Sequence, residues 1–347
     1  MSESASASIP AELRLGVVGF GKVVRDYYLP AFTMLAGARI VAVADPLPES
    51  RRAATARLRG VAAYPDHRAM LDHAGIDAVL VASPPSTHLE VWSDAAAKGV
   101  PAFVEKPLVL SSQLERLSFT NEPRIMIDFN RRFWPAYGRV RDLVRRGVLG
   151  TPVELEFVFH LDVLRWSQVT RHRLDLNEGG LLHDLGCHAI DLAFDIIGEE
   201  PDSIAAVRSS AQSTEERYTL RLEFPSGSSA TCDLAYGRRT RERLVARGPK
   251  RKARLSDPNM ALHVEPINAP RSPLVRWSLD AAALGYRACR RSQSIGRASI
   301  RGALAAFVDS LRNGSPFNPG YKEAIRNARW VAAAARSAAC GGVIQKR

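Results

Sequence analysis

Three groups of residues in this chain have types and spacings suited to chemistry. The first is Glu105-Lys106-Pro107, which ends the apolar run Ala102–Val104. Proline fixes its own φ and restricts the residue before it, so the backbone presenting Lys106 is stiff. An ammonium held there can hydrogen-bond a substrate oxygen and lower the pKa of a hydroxyl. Glu105 can orient it. Standing alone, such a strand end also reads as a surface ion pair. The second group is Asp184 and His188, one helical turn apart. A carboxylate so placed fixes the imidazole tautomer and raises its basicity, as a general base requires, although such pairs are commonly structural. Asp191 and Asp195 continue the same helical face and read as an exposed acidic stripe. His183, Asp184 and His188 offer metal-ligand atoms but lack the two-histidine i, i+4 spacing, so no metal is expected. No G-x-S-x-G elbow supports a serine hydrolase.

The third group is Gly16-Val17-Val18-Gly19-Phe20-Gly21, between a strand and a helix. Glycines in this setting make a tight turn and let the backbone approach a pyrophosphate resting on the helix N-terminus. Gly19, Phe20, Gly21, Lys22 and Val23 are therefore the expected cofactor turn. The third position of the G-x-G-x-x-G pattern is Val24, a departure that bears on helix–strand packing. Asp45 ends the second strand, where a carboxylate binds both ribose hydroxyls and repels a 2′-phosphate. NAD is the expected cofactor. NADP is the alternative, through the neighbouring Arg51 and Arg52.

The elements that position these residues alternate at first. Strands are expected at Leu13–Val18, Ile40–Ala44, Val61–Tyr64, Ala78–Ala82, Ala102–Val104 and Ile125–Ile127. Helices are expected at Lys22–Leu35, Arg51–Leu58, His67–His73 and Leu89–Lys98, the last capped by Ser86 or Thr87. This alternation argues for a doubly wound parallel sheet, a Rossmann α/β domain. Beyond about residue 150, strands follow one another at Val153–Leu161, Ser203–Ser210, Arg217–Glu223, Ala230–Tyr236, Arg243–Ala246 and Ala253–Leu255. They suggest an α+β domain with an open, mostly antiparallel sheet, completed by helices near Ile300–Arg312 and Lys322–Ala339. The expected division is a disordered lead-in over 1–12, a nucleotide domain over 13–128 and a substrate and oligomerisation domain over 129–347.

The chain has 347 residues, enough for two cores, and a net charge of +12. The basic residues are spread over the whole length, which argues for a solvated surface rather than nucleic-acid binding. Four scattered cysteines suit reduced thiols. No apolar run is long enough to span a membrane, and the polar start reads as no signal peptide, so a cytoplasmic protein is expected.

Together these motifs resemble the glucose–fructose oxidoreductase / inositol dehydrogenase / MocA family. The residues carrying the resemblance are the Gly16–Lys22 turn, Val43-Ala44-Asp45-Pro46, Ala82 through His88, Glu105-Lys106-Pro107, Phe129-Asn130-Arg131-Arg132-Phe133, and Gly180 through Asp191. The resemblance implies a catalytic set of Lys106, Asp184 and His188. His188 would take the proton of a substrate hydroxyl as hydride leaves the same carbon. Lys106 would stabilise the developing alkoxide, and Asp184 would orient the substrate. Ser83, Pro84, His88 and Glu105 join the cofactor set, and Arg132 and Trp166 the substrate set. The implied substrate is a sugar or polyol, with a phosphorylated or nucleotide-linked form mildly favoured by the basic surplus. A homodimer or homotetramer is implied too. One departure lies between Pro107 and Ile125, where the family has a full helix and this chain has room for an abbreviated one. Two other readings stay open: a glycoside hydrolase that retains NAD, and a non-catalytic NAD(P)-binding sensor or scaffold.

Overall fold

The computed structural model describes residues 12–117, 122–162, 175, 178–210, 216–237, 239–256, 261–267 and 295–346. The chain forms two compact units. The first takes in the residues up to Leu108 together with Ser118–Asp128 and Ile300–Glu323; the second takes in Val109–Leu117, Phe129–Ser299 and Ala324–Arg347. The expected division into two contiguous spans is thus too simple, because two segments cross over.

In the first unit, six strands make one parallel sheet: β1 Leu13–Val18, β2 Ala38–Ala44, β3 Ala62–Tyr64, β4 Ala78–Val81, β5 Ala102–Val104 and β6 Ile125–Ile127. Their order is β3-β2-β1-β4-β5-β6, with the reversal between β1 and β4. The strands are short, continuous apolar runs because both sheet faces are covered; β4 and β5 are buried throughout. A π-helical turn, Val24–Tyr28, runs into the short helix α1, Leu29–Phe32. Val24 is fully buried at the start of that turn, so the non-glycine third position packs inside the fold. Helices α2 Pro48–Arg57, α3 His67–His73 and α4 Pro85–Ala97 follow. Helix α4 starts earlier than expected and has no side-chain cap, because Pro85 is preset for a first-turn position. The segment after β5 holds one 3₁₀ turn, Ser111–Arg116, the abbreviated element expected.

The second sheet has eight strands: β7 Glu154–Asp162, β8 Ser203–Ser210, β9 Arg217–Glu223, β10 Ser229–Gly237, β11 Arg241–Arg247, β12 Arg251–Ser256, β13 Ala261–Pro266 and β14 Gln345–Lys346. Their order is β13-β12-β11-β7-β10-β9-β8-β14, antiparallel except where β7 and β10 run parallel. Strand β9 shows the pleat: Tyr218, Leu220 and Leu222 are buried while Arg217, Thr219 and Arg221 face out. Helix α5, Pro135–Arg145, which the sequence patterning left unnoticed, packs against α6, Cys187–Ile197. Helices α7 Ile295–Asn313 and α8 Tyr321–Ala339 end the fold. Among the described residues no helix is long and apolar enough to cross a membrane.

Candidate active site

The glycine turn leaves β1 with Gly19 at φ +87°, a left-handed conformation that favours glycine. A Cβ there would lie 2.8 Å from both the Ala82 carbonyl oxygen and the Ser83 amide nitrogen. Backbone therefore meets backbone at the β1–β4 switch point, where ligands bind in sheets of this kind. Gly21 differs. A Cβ on it would meet no protein atom within 4 Å. Its open face lies at the start of a helix whose first-turn N–H groups have no intrahelical acceptor. A narrow turn beside an open helix start fits a dinucleotide pyrophosphate.

This contrast is testable. Gly19→Ala is expected to destabilise the protein by about 1–3 kcal/mol through backbone strain, read in thermal unfolding. Gly21→Ala should leave unfolding unchanged and weaken NADH binding, read by fluorescence titration. Equal NADH affinity in Gly21→Ala and wild type would argue against a cradle there.

Asp45 is buried, and its carboxylate ties two loops together. Oδ2 accepts the Phe20 amide at 2.8 Å and Oδ1 accepts the Leu47 amide at 2.9 Å. A carboxylate has about four acceptor positions, so lone pairs remain for a ribose diol. Arg51 Nη1 donates to the carbonyls of Asp45 and Pro46, at 2.7 and 2.8 Å. That nitrogen is thus engaged in holding the loop. Lys22 pairs with Asp26 one turn on, in an exposed contact of 3.3 Å.

His88 is 1% exposed, so it braces the wall rather than lining it. Its Nδ1 lies 2.7 Å from the Pro107 carbonyl oxygen and its Nε2 2.9 Å from that of Ser83. The ring therefore links the loop after β4 to the loop that carries Lys106. Ser83 Oγ is bonded to Thr87 Oγ1 at 2.7 Å, which fixes the turn through Pro84 into α4. Glu105 Oε2 accepts the Lys106 amide at 3.2 Å, and Glu105 Oε1 lies 2.8 Å from the Tyr28 hydroxyl. Tyr28 is also 2.5 Å from Asp128 Oδ2. Burial, then the charges of Asp128 and Glu105, push the Tyr28 phenol well above its usual range.

The second unit places Asp184 and His188 on one continuous helical segment. A π turn, Leu182–Gly186, feeds directly into α6. Both side chains are buried. Asp184 Oδ2 accepts the Tyr236 hydroxyl of β10 at 3.0 Å. The His188 ring sits edge-on to Phe129, with centroids 6.4 Å apart. The neighbouring His183 is held in one tautomer: its Nε2 accepts the Ser111 amide at 3.1 Å, so Nδ1 carries the hydrogen and donates to Gly179 O at 2.9 Å.

The Asp191–Asp195 face is not the exposed stripe expected from its spacing. Asp191 is 1% exposed, and Arg132 donates to it through Nε at 2.8 Å and Nη2 at 2.5 Å. Asp195 is half-buried and pairs with Arg141 at 3.3 Å. This α6 face is therefore locked to α5 and to the Asn130–Phe133 turn, and Arg132, expected to touch substrate, has two of its donors on Asp191. Its neighbour Arg131 interacts electrostatically with Asp184. Arg131 bonds Glu242 at 3.0 Å and lies over the Phe159 ring at 4.8 Å. Burial alone would lower its pKa, but Glu242, Tyr137 and Asp184 together raise it, so it stays cationic near Asp184. Arg131, Tyr236 and Tyr28 were missed by sequence reasoning, although Arg131 lies in a motif already quoted. Trp166 lies outside the described residues.

A glycine-cradled switch point in a parallel sheet with order 3-2-1-4-5-6 defines the class of dinucleotide-binding Rossmann folds, and the α+β unit carries a buried Asp/His helix. Family comparison makes this specific. Residues 13–118 match the model of the oxidoreductase family with NAD-binding Rossmann fold, GFO_IDH_MocA, and residues 137–254 match the GFO/IDH/MocA C-terminal domain. The chain belongs to the GFO/IDH/MocA family. Among curated relatives, it is 31% identical over 201 residues to an inositol 2-dehydrogenase of Streptomyces avermitilis, covering 56% of each chain. It is 30% identical over 199 residues to the scyllo-inositol 2-dehydrogenase (NAD(+)) of Bacillus subtilis, again 56% of each chain. The matches thus span little more than half of these relatives' length. An Agrobacterium radiobacter oxidoreductase, solved in complex with NAD+, L-tartaric acid and magnesium, shares the fold with a TM-score of 0.80. It is 22% identical, with 96% of this chain and 98% of that one covered.

Proposed function

We propose that this chain is an NAD-dependent dehydrogenase or ketoreductase, moving a hydride between nicotinamide and a secondary alcohol or ketone of a sugar, polyol or nucleotide sugar. The observation that carries it is the open, helix-start cradle at Gly21, in a chain that also carries Lys106 at a strand end and the buried Asp184 and His188 one helical turn apart. Asp45 favours NAD, because its carboxylate is fixed by the Phe20 and Leu47 amides and would repel a 2′-phosphate. When bound, NAD supplies the hydride acceptor. The protein supplies position and charge. His188 takes the hydroxyl proton, Lys106 stabilises the alkoxide, and Asp184, held by Tyr236, orients the substrate. Inositol relatives support polyols as the substrate class, and a homodimer or homotetramer in the cytoplasm is part of this reading.

The test is a panel of inositols, sugars and nucleotide sugars assayed for reduced nicotinamide by absorbance. Substrate-dependent reduction of NAD, faster than that of NADP, is the expected result. Tight NADH binding with no turnover on any member would instead favour a sensor, and no binding would sink the reading.

A further inference from the structure

Behind the backbone that carries Lys106, three oxygen atoms lie in a row: Glu105 Oε1, Tyr28 Oη and Asp128 Oδ2. The two separations are 2.8 and 2.5 Å. Each is a hydrogen-bond distance and needs a hydrogen between its oxygens. A phenol brings one hydrogen, and ionised carboxylates bring none. With both acids ionised, one of the two contacts would set a bare carboxylate oxygen against a phenol lone pair. A second proton must therefore sit on one of the acids.

The surroundings decide which one. Glu105 is half-buried, and its other oxygen accepts the Lys106 amide. Asp128 is 1% exposed, and its Oδ1 has no hydrogen-bond partner among the described residues. A charge shared with a bare, buried oxygen is costly; a neutral acid leaves only an uncharged carbonyl there. The separation of 2.5 Å on the Asp128 side is in the range of strong O–H···O contacts.

We propose that Asp128 is held as a neutral carboxylic acid that donates to Tyr28, so that Tyr28 in turn donates to Glu105 and fixes it as the single carboxylate beside Lys106. Asp128 and Tyr28 are then positioning residues. Their proton keeps the strand end at one negative charge, matched to one ammonium, where a second negative charge would hold Lys106 back from a substrate oxygen. Tyr28, Glu105 and Lys106 are the titratable groups that act on Asp128. Burial and Glu105 favour its proton, and Tyr28 and Lys106 oppose it. This inference rests on the proposed dehydrogenase reading for its catalytic consequence but not for its protonation state.

The direct test is infrared spectroscopy of the full chain with carboxyl-labelled aspartate, at mildly alkaline pH and without ligand. A carbonyl band of a protonated acid is expected in wild type and should vanish in Asp128→Asn. Tyr28→Phe, which takes away the acceptor, should shift that band. No such band, or a band unchanged in both variants, overturns the proposal. In turnover, Asp128→Leu should lower kcat about tenfold, the loss of one well-placed hydrogen bond, and alter the pH profile of kcat. Asp128→Asn, whose amide N–H can donate to the same phenol, should recover most of the loss; equal loss in the two variants counts against a donating acid. If wild type reduces NAD with no member of the substrate panel, the dehydrogenase reading fails while the band stands. If Lys106→Ala is inactive and the band is absent, this proposal alone fails.

Discussion

Lys106→Ala is expected to lower kcat by about 10²–10⁴-fold while leaving NADH bound, because it removes charge where negative charge develops and leaves the glycine turn intact. The chain spends much structure on this one side chain. Strand β5 delivers it, Pro107 stiffens its backbone, the His88 ring ties that loop to the Ser83 loop, and Glu105 accepts its amide. His188→Ala should show a loss of the same order, since a positioned base contributes on that scale. Steady-state kinetics with the best panel substrate, beside NADH fluorescence titrations, gives the answer. Turnover within about threefold of wild type, against the loss expected of a catalytic group, would remove Lys106 from the catalytic set.

Arg132→Ala is expected to cost about 3–5 kcal/mol of stability at neutral pH, because it strands a buried carboxylate. Asp191 already shows the strain between burial and pairing. Burial raises its pKa to about 6, against the pull of Arg132 and Arg326 and with a further push from Asp195. This is the reverse of the usual carboxylate case. Between roughly 4 and 6 the folded protein binds more protons than the unfolded chain, so this group's contribution to stability falls as pH rises through that window. The loss amounts to about 3 kcal/mol once Asp191 is fully ionised, at 1.36 kcal/mol per pKa unit. Without Arg132 the pKa rises further and the ionised state costs more. The gap between wild type and Arg132→Ala should therefore stay nearly level from about 4 to 6 and widen toward neutrality, where wild type has lost the proton that Arg132→Ala still holds. Urea unfolding across that range measures it. A gap that narrows with rising pH would show that Arg132 does not serve to carry the Asp191 charge.

Local patterns made the nucleotide half legible. Continuous apolar runs gave the parallel strands, and Gly19 and Gly21 marked the turn because their need for space is written in the residue type. The start of α4 was less legible: Pro84-Pro85 looks like a helix breaker, whereas Pro85 occupies the first turn, where its missing N–H costs nothing. Asp191 and Asp195 were misread because helical spacing shows which residues share a face but not what covers that face. Their partners Arg132, Arg141 and Arg145 lie 50 to 59 residues earlier, on a turn and a helix that only the fold brings close. The Tyr28–Asp128 contact spans 100 residues and was hidden for the same reason. The Asp184–Tyr236 bond joins a helix to a strand 52 residues on.

The crossing of Ile300–Glu323 into the first unit sets an order of events on the ribosome. Phe103 of β5 packs against Phe307 of α7, and Phe307 against Phe317, with centroids 5.4 and 5.1 Å apart. The amide of Ile127 on β6 donates to the carbonyl of Pro319 at 3.1 Å. Every strand of the nucleotide sheet is synthesised by residue 127, yet one flank of it waits about 170 residues for its cover, about half the translation time of the chain. Until then Phe103 lacks its Phe307 partner, and the Gly19–Gly21 turn is synthesised long before the helix that packs against β5.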